Sequence, residues 1–172
     1  MEGVERNKVR LIQNNLKWKY EFLQTKNELE EIWGENIIDI QHVGSTAITA
    51  IYAKPILDIA IKLKSISDMN IELLKQQGYS YCGSKFGNLK YHLFVLRGDR
   101  EISLRHIHCY DKEEKEFKLL VGFRDYLNDH CDEAKKYELL KLELSKRYPD
   151  DRVAYTNGKE EFIKSIYSKL YI

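Results

Sequence analysis

The hydrophobic and polar positions at the start of the chain predict helical structure followed by a strand. From Val4 to Trp33 the apolar residues follow roughly helical spacing, which predicts one long helix or two shorter ones. Gly34 stands where a glycine commonly ends a helix. The run Ile37–Val43 is rich in β-branched residues, and it predicts a strand that ends at Gly44.

The next part of the chain predicts a second strand and a short helix. The run Pro55–Leu63 is mostly apolar, and a proline at its first position removes a ladder N–H where the loss does least harm. Ser67 or Asp68 is suited to cap a helix that continues to about Gln77. The segment Tyr79–Cys82 then begins another extended piece.

The second half of the chain predicts a hairpin followed by helices. Residues 89–97 and 101–110 are β-rich and are separated by a short glycine-containing loop, which is typical of antiparallel strands. Beyond Tyr110 the apolar spacing is helical. The predicted helices are Glu114–Asn128, Cys131–Arg147 and Lys159–Leu170.

This order of elements predicts an α+β fold with helices at both ends. A length of 172 residues suits one domain with a single large core. We therefore expect one domain over residues 1–172, with N-terminal helices at 1–33, a sheet core at 34–110 and a helical part at 111–172.

Composition and charge limit the classes of function. The 28 Lys and Arg residues nearly balance 27 Asp and Glu residues, and the net charge of +1 argues against a nucleic-acid-binding surface. The N-terminus is polar, and no apolar run approaches the ~20 residues that span a bilayer, so we expect a cytoplasmic protein without membrane contact. Cys82, Cys109 and Cys131 include no Cys-x-x-Cys pair, which predicts reduced thiols rather than disulfides or a thiolate zinc site.

The turn Gly44-Ser45-Thr46 is the first candidate binding feature. A strand that passes through this turn into a short helix leaves backbone N–H groups and two hydroxyls available to an anion. The alternative is that Ser45 or Thr46 only caps the helix. The tripeptide alone favours the cap, because such caps are far commoner than phosphate sites.

Asp58 is the second candidate, because its neighbours along the strand are apolar. A buried carboxylate costs several kcal/mol unless a partner or a metal ion compensates its charge. One interpretation is a metal or functional partner. The other is a structural pair with Lys54 or hydrogen bonds from backbone amides, and the residues by themselves favour neither.

His106 and His108 are the third candidate. One residue separates them on a predicted strand, so strand alternation places both imidazoles on the same face. Such a pair supplies two metal ligands or a general base with its partner. Ile102 and Leu104 share that face, so the histidines equally fit a half-buried structural surface. At metal-motif spacing, the sequence offers neither a cysteine nor a second carboxylate beside them.

Several segments together resemble the signature of the GrpB family, a family of uncharacterised proteins. The likeness extends over nearly the whole chain. The matching segments are HVGSTA at 42–47, AKPILDI at 53–59, RHIH at 105–108, GFRDYL at 122–127, Tyr137 with Lys141, and Tyr155 with Gly158 and Lys159. The GrpB family is itself similar to a branch of the nucleotidyltransferase superfamily, in which a Gly-Ser turn precedes a strand with catalytic aspartates.

The resemblance implies a nucleotidyltransferase-like mixed β-sheet flanked by helices, with a helical C-terminal part. It implies that a nucleotide or another phosphate-bearing small molecule binds at Gly44, Ser45, Thr46 and Lys54. It also implies that Asp58 is catalytic and binds a divalent metal such as Mg²⁺, Mn²⁺ or Zn²⁺, with His106 and His108 as further ligands. His42 and Arg124 are implied as residues that support these ligands from behind.

The sequence departs from the superfamily at its second carboxylate. Ala60 stands where that carboxylate is expected, and imidazole ligands favour Zn²⁺ or Mn²⁺ over Mg²⁺. Gln41 replaces a usual Glu, and Thr49-Ala50 replace a Pro-Gly pair. Two hypotheses follow: a transferase for nucleotidyl or phosphoryl groups, or a catalytically inactive module that binds a phosphate-bearing molecule. A structural interaction protein that uses its helical half is a third.

Overall fold

A five-stranded mixed sheet forms the centre of the protein. The computed structural model describes residues 1–85 and 87–170. The strands are β1 (Ile37–Val43), β2 (Leu57–Leu63), β3 (Tyr79–Lys85), β4 (Asn88–Arg97) and β5 (Ser103–Asp111). They lie in the order β1-β2-β5-β4-β3, and β2 and β5 are parallel while the other neighbours are antiparallel. The predicted mixed sheet and the predicted β4–β5 hairpin are confirmed.

Helices cover both faces of this sheet. They are α1 (Lys17–Trp33), α2 (Ile71–Gln76), α3 (Glu116–Asp129), α4 (Cys131–Arg147), α5 (Arg152–Asn157) and α6 (Glu160–Tyr167). Apolar residues of α1 and α2 pack in the main core on one face. Phe117 of α3 packs on the other face, against Val43 and Ala60. The predicted α+β class and the helical C-terminal part are thus confirmed.

The two faces of β2 carry different side chains, because successive strand residues alternate. Leu57, Ile59 and Ile61 are completely buried in the core beneath α1 and α2. Burial of each of them contributes about 1.5–3 kcal/mol. Asp58 and Ala60 lie on the opposite face, which the C-terminal helices cover. A strand covered on both faces has a nearly continuous apolar sequence, which explains why β2 was readily predicted.

The first sixteen residues are not helical, so the predicted helix from Val4 is wrong in this part. The helix α1 begins at Lys17. Val4 instead forms an antiparallel bridge to Ser103, and Ile12 forms one to Ala53. The apolar residues Val4 and Ile12 therefore lie in extended segments beside the sheet. Their roughly helical spacing does not correspond to a helix.

Two short helices begin at caps that the sequence analysis did not identify. The Asn70 Oδ1 atom accepts a hydrogen bond from the Leu73 N–H at 3.1 Å, so α2 starts after Asn70 and the predicted caps Ser67 and Asp68 are wrong. The helix α5 was not predicted. Asp151 caps it by accepting hydrogen bonds from two N–H groups of its first turn. The bounds of α4 are those predicted.

A second apolar cluster attaches the C-terminal helices to the loop between β1 and β2. Ile48 and Ile51 of that loop pack against Phe123 of α3, Tyr137 of α4 and Ile166 of α6. The same loop begins at the Gly-Ser turn that the sequence analysis singled out. The C-terminal helices are therefore fixed directly above the end of β1.

The three cysteines are free thiols within the described residues. Cys109 is completely buried, and burial raises the pKa of its thiol. The helices formed by residues 1–85 and 87–170 are too short or too polar to cross a lipid bilayer.

Candidate functional site

Three side chains with metal-binding groups converge on the face of the sheet that carries Asp58. The parallel register places His106 beside Asp58 and His108 beside Ala60. His106 Nδ1 lies 2.9 Å and His108 Nε2 lies 3.6 Å from the Asp58 Oδ1 atom. One ligand atom from each residue lies within 4.8 Å of the others. The structure therefore brings together the three residues that the family likeness implied as ligands.

The donor atoms of these three residues fit a single divalent ion. Two imidazole nitrogens and one carboxylate oxygen form a set that suits zinc or manganese. In a tetrahedral site with bonds of about 2.0–2.2 Å, neighbouring donors are about 3.3–3.6 Å apart. The Tyr91 hydroxyl lies 2.8 Å from His108 Nδ1. In the tautomer that donates this hydrogen bond to Tyr91, His108 Nε2 keeps its lone pair for a metal.

Replacement of Tyr91 by phenylalanine is expected to weaken zinc or manganese binding by about tenfold or more, because a hydrogen bond to a ligating histidine typically contributes about 10–100-fold. Competition with a chromophoric chelator measures the affinity. Tyr81→Phe is the control, since the Tyr81 hydroxyl makes an equivalent bond of 2.6 Å to His92 Nδ1 on the other face of the sheet. Equal affinities in the two variants would contradict a supporting role of Tyr91.

The Asp58 carboxylate is partly enclosed, with 29% of its side chain exposed. Burial by itself would raise the pKa of Asp58, but the hydrogen bonds and positive charge of His106 and His108 outweigh burial and lower that pKa below its usual value. Asp58 is therefore ionised at neutral pH, as a metal ligand must be. Within the described residues the Asp58 carboxylate contacts the two histidines and forms no ion pair with Lys54, the structural partner weighed from the sequence.

Gly44 lies directly against this carboxylate. Its φ angle is +70°, in the left-handed region that glycine adopts most readily. A Cβ atom at Gly44 would lie only 2.5 Å from Asp58 Oδ2. The next residues, Ser45–Ala47, form one 3₁₀ turn rather than a long helix. The first role of this glycine is therefore to leave room for Asp58 at the end of β1.

A cavity of about 370 Å³ opens in front of Asp58, His106 and His108. Asp58, the two histidines and the Gly44-Ser45 turn form the wall on the sheet side. The C-terminal helices form the opposite wall. Its apolar and aromatic side chains are Leu120, Phe123, Tyr137, Tyr155, Ile163 and Tyr167. Cavities of this size, with an apolar wall and a few converging polar groups, are typical of small-molecule sites.

Among the described residues, the cavity is also lined by three basic side chains, Lys54, Arg152 and Lys159, and by one carboxylate, that of Asp58. Lys54 Nζ and Lys159 Nζ lie 5.1 Å and 4.8 Å from the centroid of the same Tyr155 ring. Burial, Lys159 and Arg152 lower the pKa of Lys54 to about 7. Burial likewise lowers the pKa of Lys159 to about 8, although Asp58 opposes this change. The basic groups therefore repel one another in an enclosed space.

Two of the implied site residues, Thr46 and His42, lie outside this cavity. His42 pairs with Ile59 in the sheet, so it points to the α1 side, where it stacks on Phe22 with ring centroids 5.2 Å apart. His42 Nε2 lies 3.0 Å from Thr46 Oγ1, and both residues line a separate cavity of about 260 Å³. Burial lowers the pKa of His42 to about 4, which leaves it neutral. Strand alternation thus separates His42 from the ligands that it was expected to support.

Arg124 is likewise separated from the three ligands. Its Nη1 donates hydrogen bonds to Gln41 Oε1 at 2.9 Å and to the His42 carbonyl oxygen at 2.8 Å. Its Nε donates to Asp125 Oδ1 at 2.7 Å. The bonds to Gln41 and His42 connect α3 to β1. Arg124 therefore supports the site only by fixing the helix beside the strand, and Gln41, where the family usually has Glu, is one of its acceptors.

Tyr91, Arg152 and Lys159 were not singled out as candidate site residues. The contact of Tyr91 depends on the register between β4 and β5, which the sequence does not display. Arg152 and Lys159 reach the cavity because the capped turn of α5 folds back over the sheet. The sequence pointed to this region only through the resemblance of Tyr155, Gly158 and Lys159 to the GrpB family.

Comparison with known proteins decides the family. Residues 8–169 match the family model described as GrpB protein. The chain belongs to the GrpB family. It is 38% identical to the glutamate-rich protein GrpB of Alkalihalophilus pseudofirmus, over 99% of this chain and 100% of that protein. It is 35% identical to the protein YqkA of Bacillus subtilis, over 93% of this chain and 46% of YqkA.

A solved structure supports the same assignment. The crystal structure of the conserved protein GrpB from Enterococcus faecalis is similar to this fold, with a TM-score of 0.85 and 27% sequence identity. The match covers 93% of this chain and 96% of that one. The sheet, its flanking helices and the helical C-terminal part are therefore features of a GrpB fold.

Proposed function

We propose that this GrpB-family protein is a metal-dependent enzyme that transfers a nucleotidyl or phosphoryl group from a phosphate-bearing small molecule. The observation that carries the proposal is the composition of one cavity. The metal-ligand set Asp58, His106 and His108 faces a wall with three basic side chains across the same enclosed space. Phosphoryl-transfer sites require such an arrangement, because their proteins mainly position groups and neutralise charge.

In the proposed nucleotidyl transfer, an acceptor oxygen forms a bond to the α-phosphorus of a nucleoside triphosphate. The bond from that phosphorus to the bridging oxygen breaks, and pyrophosphate leaves with the electron pair. The acceptor's proton passes to solvent or to the leaving group. Lys54, Arg152 and Lys159 supply positive charge to the cavity that receives the anionic reactants, while the aromatic wall excludes water.

A divalent ion on Asp58, His106 and His108 would polarise a phosphoryl oxygen when bound. The two imidazoles favour Zn²⁺ or Mn²⁺ over Mg²⁺. Asp58 is already ionised, and Tyr91 holds one of the imidazoles. The three side chains are therefore already arranged to bind an ion, and binding requires little rearrangement of the protein.

Release of pyrophosphate or phosphate across a panel of nucleotides, with Zn²⁺, Mn²⁺ or Mg²⁺, tests the proposal. We expect turnover that depends on the metal and that Asp58→Asn reduces by at least about 100-fold, because the amide cannot supply the charge of a ligating carboxylate. Asp39→Asn is the control, since Asp39 pairs with Lys62 on the same sheet and lies outside the cavity lining. Turnover that survives Asp58→Asn unchanged, or none across the panel, would reject the transferase.

One observation favours a second candidate, a non-catalytic module that binds a phosphate-bearing molecule. Ala60 is completely buried and packs against Val43, Tyr110 and Phe117. The position of the superfamily's second carboxylate is thus filled by apolar packing. Binding of metal and phosphate ligands without any turnover would support this module in place of the transferase.

A further inference from the structure

We infer that Lys54, Arg152 and Lys159 form an anion subsite for a phosphomonoester whose organic part packs on the aromatic wall. The inference rests on the proposed function in one respect: it names the second reactant, the acceptor, as a small phosphorylated molecule. The subsite shares the cavity with the three proposed metal ligands and does not use them. Its residues come from the segment before β2 and from the end of the chain around α5.

The first support is that the basic groups have no ion-pair partner among the described residues. Within residues 1–85 and 87–170 the side-chain nitrogens of Lys54, Arg152 and Lys159 make neither a hydrogen bond nor an ion pair. Basic residues elsewhere in this protein do find partners, as Lys164 does with Glu160 at 2.5 Å. Enclosed cations without an acceptor destabilise a fold. A bound anion removes that cost.

The second support is that two of the cations are held in place. Lys54 and Lys159 both lie over the ring of Tyr155, which is 1% exposed and rigidly packed. Cation–π contacts of this kind position ammonium groups without neutralising their charge. The two charges therefore stay on the cavity wall, so little ordering is needed when an anion binds.

The charge of the lining selects the class of anion. When both lysines are protonated, the state that a bound anion favours, the three basic groups and one carboxylate leave a net charge of two positive units among the lining Lys, Arg, Asp and Glu residues of the described ranges. A phosphomonoester carries about 1.5–2 negative charges at neutral pH, which matches this excess. A sulfate ester or a carboxylate carries about one charge and leaves a cation unpaired.

The rest of the cavity selects the organic part of the ligand. Next to the basic groups the wall is formed by aromatic and aliphatic side chains, among them Phe123, Tyr137 and Tyr167. These surfaces bind a ring or an aliphatic group but offer few polar partners. The enclosed volume of about 370 Å³ suits a small molecule and not a nucleic-acid strand or a peptide segment.

Calorimetric titration of the metal-free protein tests the subsite without any turnover. The probes are phenyl phosphate, phenyl sulfate, methyl phosphate and pyrophosphate, after removal of metals on an immobilised chelator. We expect phenyl phosphate to bind about tenfold or more tightly than phenyl sulfate, which has the same shape and less charge. It should also bind more tightly than methyl phosphate, because only the phenyl ring reaches the aromatic wall.

Lys159→Gln is expected to weaken phenyl phosphate binding by about tenfold and to remove its advantage over phenyl sulfate. Arg152→Gln, on a different turn of the chain, should act in the same way and guards against a local folding defect in the first variant. The control is Lys164→Gln, on the exposed face of α6. Urea unfolding confirms that each variant is folded.

The inference is overturned if phenyl phosphate and phenyl sulfate bind equally, if pyrophosphate binds more tightly than phenyl phosphate, or if Lys164→Gln weakens binding as much as Lys159→Gln. A different result is expected if only the proposed function is wrong. Phenyl phosphate then binds as expected while no group transfer is detected with any metal.

Discussion

Replacement of Gly44 by alanine is expected to lower the free energy of unfolding by about 2–5 kcal/mol and to disrupt metal binding. The φ angle of +70° costs an L-residue about 1–2 kcal/mol. The new Cβ would also lie 2.5 Å from Asp58 Oδ2, and relief of such a collision costs about 1–3 kcal/mol. Either the turn or the carboxylate must move. Movement of the carboxylate separates Asp58 from His106 and so disrupts the proposed metal site.

Urea unfolding and a zinc or manganese titration measure the two effects. Gly83→Ala is the matched control, because Gly83 has a φ angle of +71° and a Cβ there would meet open space. It should show the backbone cost alone and leave metal affinity unchanged. Equal losses of stability in Gly44→Ala and Gly83→Ala would show that the collision with Asp58 is unimportant.

A double-mutant cycle makes the test more specific. In an Asp58→Ala background the carboxyl group is absent and only the Cβ of residue 58, at 3.0 Å, remains close, so Gly44→Ala should lose little more than the backbone cost. The coupling between the two positions then measures the cost of the collision with the carboxyl group. Purely additive losses would place the strain elsewhere in the turn.

The parts of the site that were predictable are those fixed by local periodicity. Alternation along one strand places His106 and His108 on the same face, and a charged residue within an apolar run made Asp58 conspicuous. Alternation also predicts that His42 and Val43 face opposite ways. What it does not reveal is which of them shares a face with Asp58, because that depends on the register between β1 and β2.

The remaining parts depend on contacts between distant segments. Tyr91 reaches His108 through the pairing of β4 with β5. The basic side chains Arg152 and Lys159 line the same cavity as Asp58. They lie about 100 positions later in the sequence, so only the folding of the C-terminal part brings them there. The single local clue, the Asp151 cap of α5, fixes where that helix begins and not what it faces.

The register also changes the meaning of Ala60. From the sequence, alanine at this position is a lost carboxylate. In the sheet, Ala60 pairs with His108, whose Nε2 lies 3.6 Å from the Asp58 carboxylate. In the proposed metal site the neighbouring strand therefore supplies a donor from the adjoining position, so alanine at position 60 removes one donor type without removing all donors. This favours a site for one ion with nitrogen donors over a paired-carboxylate site for Mg²⁺.

Replacement of Tyr155 by alanine is expected to destabilise the fold by about 3–5 kcal/mol, the usual range for removal of a large buried aromatic ring. Tyr155 is among the largest completely enclosed side chains of the described residues. Its loss leaves a cavity between α5 and the sheet, and it releases Lys54 and Lys159 from their common ring. Urea unfolding measures the stability, and titration with phenyl phosphate measures the affinity of the anion subsite formed by Lys54, Arg152 and Lys159.

Tyr155→Phe separates packing from hydroxyl chemistry. The Tyr155 hydroxyl has no hydrogen-bond partner among the described residues, and burial raises its pKa. The phenylalanine variant should therefore remain within about 1 kcal/mol of the natural protein and keep most of its anion affinity, because the ring beneath the two ammonium groups is retained. If Tyr155→Phe loses as much anion affinity as Tyr155→Ala, the hydroxyl contacts the ligand directly and the ring is not what positions Lys54 and Lys159.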